Sequence, residues 1–157
     1  EAQSLKMNNP HQFLIFDFTD YTIGNVRETI NTQELKRDSV VVGKVNVDGK
    51  SYNAYNTVYA KFTTNRREIL SAGVLSVRII DAPTNRILQH QNFVGEYVWY
   101  TEWSSYSGDE RALSDKQKRM TQLQPQRPPP HQDLFIEFTK PIYSQVLTFV
   151  RSAYRNY

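Results

Sequence analysis

The sequence predicts an α+β fold: a single domain over residues 1–157, with a mainly antiparallel, twisted sheet of about five to seven strands and a C-terminal helix packed on it. Val, Ile, Thr, Tyr and Phe are plentiful, and these residue types favour strands. Short stretches alternate apolar and polar residues, as half-buried strands do, and turn residues separate them. After residue 141 the apolar spacing becomes helical.

Composition limits the classes of partner and site. The formal charge of +3 is small and no long Lys or Arg run occurs, so we do not expect a nucleic-acid partner. The chain has no cysteine, which excludes disulfides and thiolate chemistry. No apolar run approaches the roughly 20 residues of a membrane span, so no transmembrane segment is expected. Residues 1–10 predict a loose lead-in, and because the first residue is Glu1 rather than Met we expect a longer precursor.

The first half of the chain contains one clear hairpin. Residues 13–18 (Phe-Leu-Ile-Phe-Asp-Phe) predict a strand, and the polar residues 19–25 predict a bend after it. The sequence of residues 26–38 is compatible with a helix, a strand or disorder, and we favour an extended or irregular segment. The next strand ends at Asp48-Gly49. This pair between alternating hydrophobic residues predicts a two-residue turn with positive φ at both positions.

Residues 55–106 predict an antiparallel meander. Its strands are residues 58–63, 75–79 and 87–94, and residues 97–103 extend the last of these or form another strand. Pro83 and Asn85 predict the turn before the third of these strands, since Pro83 cannot donate to a ladder and Asn85 tolerates left-handed geometry. Gly95 predicts a bulge between residues 87–94 and residues 97–103.

A surface helix and a connector follow the meander. Asp109 can cap a helix near residues 110–123, and Ser114 offers a second cap as part of a capping box. Only a few residues of this helix are apolar, so we expect it on the surface. Residues 124–132 contain three successive prolines, which favour polyproline II and predict a stiff Pro-rich connector.

The C-terminal segment predicts a strand and then a helix. Residues 134–138 (Leu-Phe-Ile-Glu-Phe) have the composition of a strand. Thr139 then serves as the helix N-cap, with Pro141 in the first turn. Residues 10–19 and 130–139 both begin Pro-His-Gln and end with an acidic residue, Phe and Thr. Either a duplicated strand–turn unit or a coincidence of strand composition explains this similarity.

No catalytic motif is recognisable. The chain has no nucleophile elbow, Walker A, dinucleotide-binding or EF-hand pattern, so we predict no catalytic residue and no cofactor. The three histidines, His11, His90 and His131, lack metal-binding spacing, and no metal site is predicted. We therefore do not expect an enzyme.

The candidate binding residues lie in and just after an aromatic stretch, residues 97–106. They are Tyr97, Trp99, Tyr100, Trp103, Tyr106, Asp109 and Arg111. Clustered aromatic rings near acidic residues are able to bind sugar rings or a proline-rich peptide, although core packing explains them equally simply, and we favour it. Asp109 as a cap, ion-paired with Arg111, predicts a structural clasp between the aromatic strand and the following helix.

Three segments resemble an uncharacterised family of bacterial exported or lipoprotein-like sequences: residues 55–62, 75–88 and 95–113. The hairpin with the pattern Asp81-x-x-Thr84-x-x-Ile87-Leu88 is also distantly similar to one in envelope lipoproteins of the curli-secretion and penicillin-binding-protein-activator kind. These resemblances imply an α+β domain of the periplasm or outer membrane that acts by assembly or partner binding. They imply no catalytic residue.

Two functions are expected from these observations. The first is a non-enzymatic protein of the bacterial cell envelope that acts by protein–protein interaction, either with a partner or by self-association. The alternative is a glycan-binding or glycan-processing domain that uses the aromatic stretch, with Glu102 or Asp109 as the acid.

Overall fold

The computed structural model describes residues 10–155, so nearly all of the loose lead-in predicted at residues 1–10 lies outside the described residues. Three long strands form one sheet in the order β1–β2–β3, and their bounds are β1 Gln12–Val47, β2 Lys50–Asp81 and β3 Arg86–Gly108. A 3-10 helix Glu110–Ala112, helix α1 Asp115–Met120 and helix α2 His131–Ala153 follow. Each helix between residues 10 and 155 is too short or too polar to cross a membrane.

The predicted number of strands is wrong. The sheet has three strands of 36, 32 and 23 residues instead of five to seven shorter ones. No proline interrupts residues 12–81, so nothing removes a ladder donor where bends were predicted. Residues 19–25 continue β1, and Gly24 takes a φ of +78° within the strand. The prediction of an extended segment at residues 26–38 is confirmed, since they also belong to β1.

Both predicted hairpin turns are confirmed. Asp48 and Gly49 have φ values of +49° and +77°, so both turn positions are left-handed. At the second turn Asn85 has a φ of +55°. The Asp81 carboxylate accepts a hydrogen bond of 3.1 Å from the backbone N–H of Thr84, which closes that turn.

The predicted strand at residues 134–138 is wrong, because these residues form the beginning of α2. Pro130 stands at the N-cap position, and Thr139 bonds back to carbonyl oxygens of the preceding turn instead of capping the helix. Pro141 lies in the helix interior. Buried side chains recur every four residues along one face of α2: Leu134, Phe138, Ile142 and Val146. The burial of this face outweighs the strand propensity of the segment.

Residues 10–19 and 130–139 adopt different structures. The first segment leads into β1 and the second into α2. Their similar sequences therefore do not make a structural repeat.

The predicted surface helix is divided in two. Asp109 caps the 3-10 helix and Ser114 forms the predicted capping box with Gln117 at the start of α1. Both caps are therefore confirmed, while the continuous helix over residues 110–123 is wrong. Residues 123–130 belong to no helix or strand, which agrees with the predicted connector over residues 124–130. Its last two residues, 131 and 132, belong to α2 instead.

The described residues divide into two compact units. Unit 1 contains residues 10–25, 69–98 and 129–155, and unit 2 contains residues 26–68 and 99–128. In unit 1, α2 packs on the sheet as predicted, and the buried cluster (the unit 1 core) is Leu75, Val77, Phe93, Phe138, Ile142 and Val146. Unit 2 has a smaller buried cluster, Ala60, Phe62 and Leu113.

Candidate functional site

The predicted aromatic stretch is divided between the two units. Tyr97 belongs to unit 1, where it packs against the unit 1 core. The other four rings belong to unit 2: Trp99, Tyr100, Trp103 and Tyr106. Both tryptophans are partly buried, whereas Tyr100 is 54% exposed. Neither unit alone therefore contains all the predicted binding rings.

Arginine side chains lie over two rings of unit 2. The guanidinium carbon of Arg66 is 4.4 Å from the centre of the Tyr100 ring, and that of Arg67 is 5.6 Å from the centre of the Trp103 ring. Arg66 also donates a hydrogen bond of 2.7 Å to the Glu102 carboxylate, which raises the pKa of the guanidinium. A sugar stacking on these rings would have to displace the arginines. The glycan alternative stays a prediction.

Asp109 and Arg111 form the predicted ion pair. The Asp109 carboxylate accepts hydrogen bonds of 2.9 Å from the backbone N–H and from Nε of Arg111. These bonds lower the pKa of Asp109 to about 2. A glycosidase acid needs a raised pKa instead, so this geometry does not suit Asp109 to that role. Arg111 Nη1 also donates a bond of 2.7 Å to the carbonyl oxygen of Val41, which fixes β1 at this point.

We expect the ion pair between Asp109 and Arg111 to persist in acid. The folded pKa of Asp109 lies below its ordinary value of 3.8, so the carboxylate stabilises the folded state above that pH. This contribution is lost as the pH falls through about 2. A carboxyl ¹³C NMR titration of Asp109 should show its midpoint near the lower value. In Arg111→Gln the midpoint should rise towards 3.8, and in the control Arg119→Gln it should not move. An unchanged midpoint in Arg111→Gln would contradict the assignment.

Unit 2 also contains an exposed hairpin. We call residues 41–56, on either side of the Asp48-Gly49 turn, the arm. All of these residues except Ala54 are exposed. Its large exposed side chains are mainly apolar or aromatic: Val41, Val42, Val45, Val47, Tyr52 and Tyr55. A surface of this composition is typical of protein interaction sites.

The arm is exposed because β3 is shorter than the hairpin beside it. β3 ends at Gly108, which has a φ of +103°. The next backbone N–H, that of Asp109, donates a bond of 2.9 Å to the carbonyl oxygen of Tyr59. The third strand of the sheet therefore ends beside Tyr59, and within residues 10–155 no further strand pairs with β2 before Tyr59 on that side. The arm is a two-stranded ribbon with two open backbone edges.

A second candidate surface lies in unit 1. An apolar groove of about 780 Å³ runs between the start of β1 and α2. Phe16, Phe18, Phe135 and Tyr143 are among its lining residues, and Lys140 is the one charged residue among the described residues that line it. Lys140 is ion-paired with Glu137 at 2.5 Å, so the groove offers no free charge to orient a ligand.

Both surfaces were missed in the sequence for identifiable reasons. The groove needs a helix at residues 134–138, and the four-residue spacing that continues from Leu134 through Val146 indicates it. The arm needs the position at which β3 ends. Residues 41–56 themselves carry no signal of that position.

Comparisons with known proteins do not add an assignment. Residues 10–155 contain no cluster of His, Asp and Glu side chains able to hold a metal ion. The chain matches no protein-family model, no curated protein and no solved structure.

Proposed function

We propose that this chain is a non-enzymatic protein of the bacterial cell envelope that acts by protein–protein association through the arm. The observation that supports the proposal is the exposed two-stranded ribbon of residues 41–56. An isolated hairpin is at best marginally stable in water, because a third strand or a packed helix is needed to bury one of its faces. A protein partner would supply the missing cover.

The arm offers two kinds of contact to a partner. Its open edges present backbone N–H and C=O groups, so an extended segment of another chain is able to join the sheet as a further strand. Tyr52 and Tyr55 are exposed by 52% and 62% and would lie beside such a strand. Tyrosine is enriched in protein interfaces because its ring buries a large area at a small entropic cost.

The base of the arm is fixed, which reduces the entropic cost of binding. Arg111 holds the Val41 carbonyl oxygen, and Arg37 donates a bond of 3.1 Å to the Arg111 carbonyl oxygen. Thr57 donates a bond of 2.7 Å to the Asp38 carboxylate across the hairpin. The location in the envelope is supported only by the resemblance of residues 55–62, 75–88 and 95–113.

Site-specific photo-cross-linking tests the proposal in the cells that make the full-length protein. A benzophenone amino acid at Tyr55 is compared with one at Val94, because both side chains are 62% exposed and Val94 lies outside the arm. We expect adducts to protein from position 55 but not from position 94, and we expect them in the envelope fraction. Absence of adducts at position 55, equal adducts at both positions, or a cytosolic location would contradict the proposal.

A further inference from the structure

The edges of the sheet differ in their charge. β1 is an edge strand over its whole length, and charged residues recur along it: Asp17, Asp20, Arg27, Glu28, Glu34, Lys36, Arg37, Asp38 and Lys44. Charges of this kind discourage a second chain from pairing with an edge. On the other side of the arm, residues 51–57 (Ser-Tyr-Asn-Ala-Tyr-Asn-Thr) are uncharged and contain no proline. This stretch of β2 is an edge without such protection.

The hairpin turn determines which backbone groups point outward. A two-residue turn makes Val47 and Lys50 a hydrogen-bonded pair, and alternate residues of β2 then bond to β1. Ser51, Asn53 and Tyr55 therefore direct their N–H and C=O groups away from β1, towards the open edge. These are the groups that a further strand would use.

The open edge of the arm is complementary to itself. If two copies pair antiparallel about a two-fold axis at Asn53, each outward-pointing residue meets another, since Ser51 lies opposite Tyr55 and Asn53 opposite Asn53. On the other face of the ribbon, Lys50 lies opposite Asn56, so no like charges meet. On the opposite edge, a two-fold axis at the centre of residues 41–47 would place Lys44 against Lys44.

The space around the arm accommodates this arrangement. In the same register Tyr52 lies opposite the small side chain of Ala54, with Gly43 of β1 beside it. A Cβ added at Gly43 would meet no atom within 4 Å, so the space over this glycine is open to a ring. In this register the tip of the second arm lies opposite Thr57, before Tyr59, where β2 begins to pair with β3.

We infer that the partner of the arm is a second copy of this chain, paired antiparallel along residues 50–56 about a two-fold axis at Asn53. The two arms then form a continuous four-stranded ribbon. The inference rests on the proposed function and specifies its partner. In this arrangement Asn53 of one copy lies opposite Asn53 of the other. A charge introduced at position 53 would therefore meet the same charge in the second copy.

Sedimentation velocity of the purified chain tests this consequence. The wild type should form dimers as its concentration rises, and Asn53→Lys should weaken dimerisation by at least about ten-fold through like-charge repulsion. Asn46→Lys is the matched control, because it adds the same charge to another exposed asparagine of the arm, on the opposite edge, and it should dimerise like the wild type. Unchanged thermal unfolding would establish that both variants fold.

A charge-swap mixture makes the test specific for the two-fold axis. Asn53→Asp alone should dimerise less tightly than the wild type, by a smaller factor than Asn53→Lys because Lys44 lies opposite it in the same arm. A mixture of the Lys and Asp variants should form a one-to-one heterodimer. The inference is overturned if the wild type is monomeric up to about 0.5 mM, if Asn53→Lys dimerises as well as Asn46→Lys, or if the mixture does not associate. If the wild type is monomeric but position 55 still cross-links to another protein, the second-copy inference fails and the proposed function stands.

Discussion

Replacing Gly95 by alanine is expected to destabilise the protein by about 3–5 kcal/mol. Gly95 is buried in β3 where α2 crosses it. A Cβ at this position would overlap the backbone carbonyl oxygen of Phe138 and would lie 2.8 Å from Cγ1 of Ile142. Since a backbone atom moves only with its helix, α2 would have to shift away from the sheet. Gly95 was predicted to mark a bulge, but its evident role is to let the helix backbone approach the strand.

The other strand glycines provide graded controls. A Cβ at Gly73 would lie 2.8 Å from a ring carbon of Phe138, and a side-chain ring moves more easily than a backbone, so Gly73→Ala should cost less than Gly95→Ala. Gly43→Ala meets nothing within 4 Å and should leave stability unchanged or slightly raised. Urea unfolding followed by circular dichroism at 222 nm reports on α2 and gives the three midpoints. Equal midpoints for Gly95→Ala and Gly43→Ala would contradict the packing described.

Local turn and cap signals were readable in the sequence because they depend on a few adjacent residues. Asp48-Gly49 and Asn85 form the expected left-handed turns, and Asp109 and Ser114 cap as expected. Each of these interactions is made within about four residues, so no knowledge of the tertiary structure is needed to predict it.

Strand length was not readable in the same way. Strands usually have about 3–10 residues, so polar residues between two apolar runs favour a bend in any sequence-based interpretation. Here such residues remain part of β1, and bonds that involve a side chain join them to β2: the Gly24 N–H donates a bond of 3.2 Å to the Ser71 hydroxyl oxygen, and the Thr19 hydroxyl donates to the Val74 carbonyl oxygen. Whether a polar segment continues to pair depends on its neighbouring strand. The segment itself does not contain that information.

The candidate site depends on the same kind of non-local information. The sequence of the arm predicts a hairpin, but its exposure follows from the end of β3 at Gly108, about fifty residues later in the chain. The aromatic stretch of residues 97–106 is conspicuous in the sequence, which is why it was predicted as a candidate binding site. The structure instead shows Arg66 and Arg67 over two of its rings. Residue types alone did not distinguish rings covered by their own chain from rings open to a partner.

Replacing Phe138 by alanine should be comparably severe, with a loss of about 3–5 kcal/mol. Phe138 is 0% exposed and lies at the centre of the unit 1 core. Its ring contacts the rings of Phe18 and Phe135, with centroids 6.4 Å and 5.2 Å away. Alanine would leave a cavity that the long strands on one side and α2 on the other are unable to close, so both the burial energy and the packing contacts are lost.

Phe135 provides the matched control, because it lies one turn earlier on α2 and is 37% exposed. Phe135→Ala should therefore cost clearly less than Phe138→Ala, since part of its surface already contacts water. Urea unfolding followed at 222 nm compares the two variants directly. If residues 134–138 formed the strand that their composition predicts, successive side chains would face opposite sides of it. The loss of stability on truncation would then follow a two-residue period. The discriminating position is Ile136: a strand would place it on the same face as Leu134 and Phe138, whereas in α2 it is 45% exposed, so its truncation should cost clearly less than theirs.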